Sequence, residues 1–245
     1  MILYKYHKAN NYLLELIKRN SVWCSNPYDF NDPFDMRFLI DFKEIYNDLK
    51  LEAEKELKTK YPTFSHLIPN AIQQITNEQL NTAVFEWNEK VISEIKGFGI
   101  CSFSKKENNL LIWSHYTDKY NGVCLKFDFT NKNDIPFTPL EVKYTDEYPT
   151  IRPTDKPNES FCITKSSDWK YEEEFRIITP KPGYLAFNQN CLKEIIFGFK
   201  VTHAYIKDVI KTVEICGYQN IKFKTVQINN EKYQLDYLPL KMQLL

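Results

Sequence analysis

The sequence predicts an α+β fold: a mixed or antiparallel central sheet with flanking helices and a helical insertion at about 41–96. Three observations carry this expectation. Short apolar runs of strand length recur on both sides of one long, charged block without glycine. Strands and helices alternate without a regular βαβ rhythm. Hydrophobic residues make up 43% of the 245 positions, with 16 Tyr and 17 Phe, which is enough for a substantial aromatic core. The expected organisation is one domain over 1–245, with 41–96 as an insertion or lid.

Each element has its own signal. Ile2 to His7 reads as a first strand. Ala9 to Asn20 follows as a helix, because Leu13, Leu16 and Ile17 recur at helical spacing. Val22 to Cys24 is a second strand, and Ser25 to Asp35 is an irregular loop whose Asn, Asp and Ser side chains cap the backbone. Pro62 and Pro69 break the helical block into at least two pieces. After Gly97 the strand candidates are Phe98 to Phe103, Gly122 to Phe129 and Leu140 to Tyr144, with a short helix at Asn108 to Tyr120. A proline-containing loop covers 145–158, and Ser160 to Tyr171 reads as helix. Further strands are expected at Phe175 to Ile178, Leu192 to Phe197, Ile221 to Ile228 and Tyr233 to Leu238. Thr202 to Cys216 is a helix with Gly217 as its C-cap.

Composition excludes several function classes. Lys plus Arg and Asp plus Glu are both 32, so no global electrostatic footprint for nucleic acid exists. The six cysteines form no CxxC pair, and the four histidines, at 7, 66, 115 and 203, lack ligand spacing. No metal is therefore expected, and the thiols read as reduced, buried groups of a cytoplasmic protein. No apolar run approaches the roughly 20 residues of a membrane span, and no targeting pattern opens the chain. With six glycines there is no GxGxxG and no GxxxxGK[ST], so a nucleotide would be held without a glycine-rich loop.

Four constellations could carry chemistry, each with a structural alternative. Tyr6 and His7 end the first strand, as ligand contacts or as a packed Tyr and a solvated His. Asn31 and Asp32 sit between Phe30 and Phe34 in a constrained loop, a ligand clamp or a turn pinned into the core. Trp113, His115 and Tyr116 share a short helix, with Ser104 in the strand before it; His115 is a proton carrier or a satisfied structural histidine. Trp169 to Ile178 places three consecutive carboxylates ahead of a strand-like run. Strand alternation would put Glu172, Glu174 and Arg176 on one face, with Lys165 able to reach it. Two carboxylates so placed can hold a ribose diol, orient a nucleophile or share a proton. The structural alternative pairs Arg176 with one glutamate and leaves the other solvated.

The order of Leu3-Tyr4-Lys5-Tyr6, Ser25-x-Pro27-x-x-Phe30-Asn31-Asp32-Pro33-Phe34-Asp35, Cys101-Ser102-Phe103-Ser104, Trp113-Ser114-His115-Tyr116, Gly122-Val123-Cys124-Leu125-x-Phe127-Asp128 and Trp169-x-Tyr171-Glu172-x-Glu174-x-Arg176 resembles the bacterial family labelled domain of unknown function 2971. More distantly, the chain is similar to ADP-ribosyltransferase-like enzymes, which bind NAD without a glycine-rich loop. That resemblance implies NAD as a substrate and transfer of ADP-ribose to a macromolecule or nucleotide, as in a toxin or an antiphage defence effector. It implies Glu172 or Glu174 as the carboxylate at the nicotinamide ribose, Tyr6 or His7 as first-strand contact and Tyr116 as stacking partner. His115 joins the catalytic candidates. Asn31, Asp32, Ser104, Trp113, Lys165 and Arg176 join the binding candidates. Two other classes stay open: a non-catalytic nucleotide- or peptide-binding sensor, and a metal-dependent nuclease or hydrolase using Asp32, Asp35 and the glutamates.

Overall fold

The computed structural model describes residues 1–40, 42–131, 133–151 and 161–241. In chain order these form β1 (Ile2–Lys8), α1 (Asn11–Arg19), β2 (Ser21–Cys24), β3 (Leu39–Ile40), α2 (Phe42–Lys60), α3 (Ile68–Gln73), α4 (Asn77–Gly97), β4 (Gly99–Ser104), α5 (Leu110–Tyr116) and β5 (Gly122–Asp128). Then follow β6 (Leu140–Glu141), β7 (Lys143–Thr145), β8 (Thr150–Ile151), β9 (Thr164–Ser166), β10 (Glu174–Thr179), β11 (Gly183–Ala186), β12 (Leu192–Phe197), α6 (His203–Ile215), β13 (Lys222–Ile228) and β14 (Leu235–Pro239). The fold is α+β, and the chain divides into two compact units.

The first unit comprises Met1–Asn26, Gly99–Val142 and Ser167–Leu245. Its eight-stranded sheet runs β14-β13-β12-β5-β1-β4-β10-β6, antiparallel except for β12 beside β13. Alternation along the strands sorts the side chains into two layers. Leu3, Val123, Leu125, Phe127, Phe103, Ile177, Ile195 and Phe197 belong to one cluster with Leu13, Leu16 and Ile17 of α1 and Ile206, Val209, Ile210 and Val213 of α6. Tyr4, Cys124, Ile196, Val226 and Leu235 cluster with Trp113 of α5. The second layer carries the polar groups considered below.

Local chemistry sets the helix ends. Asn10 accepts the Tyr12 and Leu13 N–H groups to start α1, and Asn20 in the left-handed region closes it. Thr202 caps α6 by accepting from Tyr205 N–H, and Gly217 follows it at φ +75°. Gly198 marks a close approach rather than a turn. A Cβ there would overlap the Tyr120 carbonyl oxygen, while the Gly198 N–H donates to the Gly122 carbonyl at 2.8 Å. Gly198→Ala is therefore expected to lower stability by about 1–3 kcal/mol or more, because the obstacle is backbone; an unchanged urea midpoint would show that the 118–121 turn yields.

The second unit comprises Pro27–Phe98 and Lys143–Ser166. In it α2 packs on α3 and α4. Pro69 lies in the first turn of α3, where its missing N–H is harmless, so it opens a helix rather than breaking one. A capping box between Thr76 and Gln79 starts α4. Two small parallel pairs, β3 with β8 and β7 with β9, complete the unit.

Several sequence expectations need correction. Among the described residues, Ser160 to Tyr171 is not a helix but two 3₁₀ turns, Phe161–Ile163 and Ser167–Glu172, flanking β9. Thr164, Ser166, Ser167 and Asp168 compete for backbone hydrogen bonds there and disfavour an α-helix. The helix expected over Asn108 to Tyr120 is only Leu110–Tyr116, since Asp118, Lys119 and Tyr120 all take positive φ. Leu140 to Tyr144 splits into β6 and β7. The parallel β12–α6–β13 crossover and strand β11 were not expected. Of the expected 145–158 loop, residues 152–158 lie outside the described residues.

Candidate functional site

The site is built where α5, β10 and the 3₁₀ turn before β10 meet. In β10, Glu174 pairs with Ser104 of β4 and Arg176 with Ser102, so both side chains rise from one face of the sheet. Arg176 is wholly buried and Glu174 is 4% exposed. The Arg176 Nε donates to Glu174 Oε1 at 2.9 Å and a terminal nitrogen donates to Oε2 at 3.2 Å, a two-pronged guanidinium–carboxylate pair. This is the structural ion pair that the sequence allowed as an alternative.

The other carboxylate is placed differently. Glu172 ends the 3₁₀ turn and Glu173 takes φ +42°, so strand alternation does not run back to Glu172. The kink sends Glu173 outward, where it pairs with Lys106 at 2.9 Å, and buries Glu172 at 5% exposure. The Tyr116 hydroxyl donates to Glu172 Oε1 at 2.7 Å. Glu172 is thus buried, not solvated as the structural alternative had it, and it lies before the strand rather than on its face.

Neighbouring polar groups hold the kink. The Ser104 hydroxyl donates to the Glu172 carbonyl at 2.5 Å, and Lys105 N–H donates to the Glu173 carbonyl at 2.9 Å. Asn109 ties α5 to the turn: its Oδ1 accepts from Leu111 and Ile112 N–H, and its Nδ2 donates to the Tyr171 carbonyl at 2.7 Å. One capping side chain therefore fixes the helix that carries Tyr116 against the turn that carries Glu172.

Aromatic rings wall this corner. His115 is exposed, and its Nδ1 lies 3.1 Å from the Tyr171 hydroxyl. Its ring meets those of Tyr116, Trp169 and Tyr171 edge-on at 6.2–6.4 Å between centroids. Burial and the Glu172 charge push the Tyr171 phenol up to about 12 and raise that of Tyr116 as well. Both phenols are hydrogen-bond donors at neutral pH. A buried carboxylate steadied by a phenol, beside exposed and half-buried rings, is suited to oppose developing positive charge and to hold a planar group.

Tyr6, Trp113 and His7 have partners of their own. The Tyr6 hydroxyl donates to the Lys106 and Glu107 carbonyls at 2.8 and 2.7 Å, and its ring stands edge-on to Trp113 at 5.4 Å. Trp113 is fully buried, with its Nε1 donating to the Tyr237 hydroxyl at 3.1 Å. Tyr6 braces the loop after β4 directly, and Trp113 does so through Tyr237, whose hydroxyl donates to the Glu107 carbonyl at 2.6 Å. His7 lies on the opposite face of β1 from Tyr6, with Nδ1 2.8 Å from the Lys8 carbonyl. Asn31, Asp32 and Lys165 belong to the second unit, where Asn31 is exposed and the other two are buried. Trp169, Tyr171 and Asn109 are site residues outside the sequence expectation. The Trp169-x-Tyr171 spacing next to the glutamates was the available signal. Among the described residues, no group of three or more His, Cys, Asp or Glu is placed to hold a metal ion, and no helix is long and apolar enough to cross a membrane.

His7 gives a pH expectation. Burial disfavours its imidazolium and lowers its pKa from the usual 6.5. The unfolded chain then binds the proton more readily, so stability is full above about pH 6.5 and is lost as pH falls towards the depressed folded value. The melting temperature of His7→Gln should fall less between pH 7 and pH 5.5 than that of the wild type; parallel curves would assign the acid sensitivity elsewhere.

No curated protein and no solved structure matches the chain. Residues 112–177, a stretch containing His115, Tyr116, Glu172, Glu174 and Arg176, match the model of one family, a protein of unknown function (DUF2971).

Proposed function

We propose that the chain consumes NAD and transfers ADP-ribose to a nucleotide or macromolecular acceptor, with Glu172 as the carboxylate at the reacting sugar. The observation that carries this reading is the Tyr116–Glu172 hydrogen bond in a corner walled by His115, Trp169 and Tyr171. In such a reaction the bond between ribose C1′ and the nicotinamide nitrogen breaks, and nicotinamide leaves with the bonding electrons. The acceptor's nucleophile then bonds to C1′ and loses its proton. A nearby carboxylate stabilises the oxocarbenium-like state in between, and aromatic rings hold the nicotinamide. Glu172 is the choice because its Oε1 accepts from Tyr116, a neighbour of the His115 ring, whereas Glu174 is engaged by two nitrogens of Arg176. The stacking role expected of Tyr116 passes to its ring neighbours, since Tyr116 supports Glu172.

The test is incubation with labelled NAD, following nicotinamide release and label on added protein, nucleic acid or nucleotide. Release that depends on active protein is expected. Absence of both turnover and calorimetric NAD binding overturns the reading. A non-catalytic nucleotide or peptide sensor is the second reading, favoured by the sealed Glu174–Arg176 pair that stiffens this sheet face. NAD binding without nicotinamide release would select it.

A further inference from the structure

The proposed NAD chemistry uses none of the six cysteines, and two of them face each other. Just past the end of β2 the chain meets β4 at one antiparallel bridge, Ser25 with Ile100. The Ser25 N–H donates to the Ile100 carbonyl at 2.9 Å, and the Ile100 N–H donates to the Ser25 carbonyl at 2.8 Å. In an antiparallel ladder, a pair that exchanges both hydrogen bonds is followed by a pair that exchanges none. The Cα atoms of that next pair stand about 4.5 Å apart, with side chains on one face. One step from Ser25 and Ile100, the next pair is Cys24 and Cys101. Such a separation falls within the range a disulfide spans.

The side chains agree with the backbone. Both thiols are free, buried in the same core cluster, and hydrogen-bonded to each other. The Lys5 ammonium lies beside them, donating to the Ser102 carbonyl at 3.1 Å. Burial raises the Cys101 thiol, but the Cys24 thiol and the Lys5 charge outweigh it, so Cys101 falls below its ordinary value. The hydrogen bond to Cys101, with burial, raises Cys24. Cys101 is therefore the nucleophile of the pair.

We propose that Cys24 and Cys101 are an oxidative modification site, closed into a cross-strand disulfide by hydrogen peroxide. The Cys101 thiolate attacks one peroxide oxygen, the O–O bond breaks, and the leaving hydroxide takes up the proton that the thiol released. The Cys24 sulfur then attacks the resulting sulfenic acid at sulfur, and the S–O bond breaks as water leaves with the Cys24 proton. Two thiols lose two electrons and two protons, and peroxide is reduced to two molecules of water. Both sulfurs are buried, so peroxide meets them when the chain opens locally at the bridge, where two backbone hydrogen bonds are broken. The chain leaves the first unit after Asn26 and returns at Gly99, so the disulfide closes the whole Pro27–Phe98 segment into one loop. Constraining so long a loop in the unfolded chain stabilises the fold. The proposal does not rest on NAD consumption, because nothing it predicts is read from activity.

The experiment treats the folded full chain with hydrogen peroxide, alkylates the remaining thiols in urea, digests without reduction and identifies linked peptides by mass spectrometry. A peptide joining Cys24 to Cys101 is expected as the main intrachain product. The oxidised chain should melt about 5–10 °C above the reduced chain, and dithiothreitol should reverse both changes. Cys24→Ser should show neither the linked peptide nor the shift. The wild-type product decides the matter even if that variant fails to fold. Absence of the linked peptide, or a different pair joined in its place, overturns the proposal. So does a lower melting temperature on oxidation, because the bridge would then form only by distorting the fold.

Discussion

Arg176→Met is expected to lower the free energy of unfolding by about 3–5 kcal/mol, the cost of leaving one partner of a buried ion pair behind. The guanidinium is wholly buried and binds Glu174 through two nitrogens. Removing it takes two charged hydrogen bonds from a carboxylate that is 4% exposed between β4 and the β6 edge. Against a typical total stability of about 5–15 kcal/mol, that loss is large enough to reduce soluble yield. Glu174→Gln is expected to have the same sign. The double variant Glu174→Gln/Arg176→Met should lose less than the sum of the two single changes, because both remove the same pair interaction. Urea unfolding of the four proteins measures the coupling. A single variant within about 1 kcal/mol of wild type would place the pair in the class of exposed, weak ion pairs and contradict its burial.

This pair was legible in the sequence, and its neighbour was not, for one physical reason. Alternation along a strand is a rule of period two, so Glu174 and Arg176 had to share a face once β10 was recognised. Glu172 lies beyond the point where the rule applies. The positive φ of Glu173 is held by contacts from Ser104 and Lys105, which are some 70 residues away in sequence. No local pattern reports such a contact. The same holds for β12 beside β13: the crossover through α6 is local, but the parallel pairing depends on where β5 takes its place in the sheet. Leu192–Phe197 has its expected limits, because Ile195, Ile196 and Phe197 are buried on both faces and leave an unbroken apolar run at its end. Helical spacing puts Trp113 beside Tyr116 and makes it an expected ligand contact, yet the helix turns it inward against Tyr6 and Tyr120. A helix of seven residues has too few turns for its buried stripe to stand out.

Glu172→Gln should abolish NAD consumption, by about 100-fold or more in kcat, while leaving the melting temperature nearly unchanged. The magnitude follows from removing a fixed charge aimed at developing charge, the scale of losing one electrostatic stabiliser of a transition state. The substitution preserves shape and keeps an acceptor for the Tyr116 hydroxyl. Tyr116→Phe separates support from chemistry. It removes the donor at 2.7 Å from Oε1 but leaves the carboxylate charged, so a loss of about 10-fold is expected, the scale of one hydrogen bond to a charged group. The pH profile adds a sign. Burial and Glu172 raise the Tyr116 phenol above the ordinary tyrosine value of 10.0, so it stays protonated throughout the neutral and mildly alkaline range. Wild type and Tyr116→Phe should therefore differ by a constant factor up to about pH 10 rather than converge. Glu172→Gln retaining more than a tenth of wild-type turnover would remove Glu172 from the reacting sugar and return the Tyr116 contact to a purely structural role. A full loss in Glu172→Gln with a folded protein, beside a structural loss in Arg176→Met, would divide the two adjacent carboxylates between chemistry and architecture.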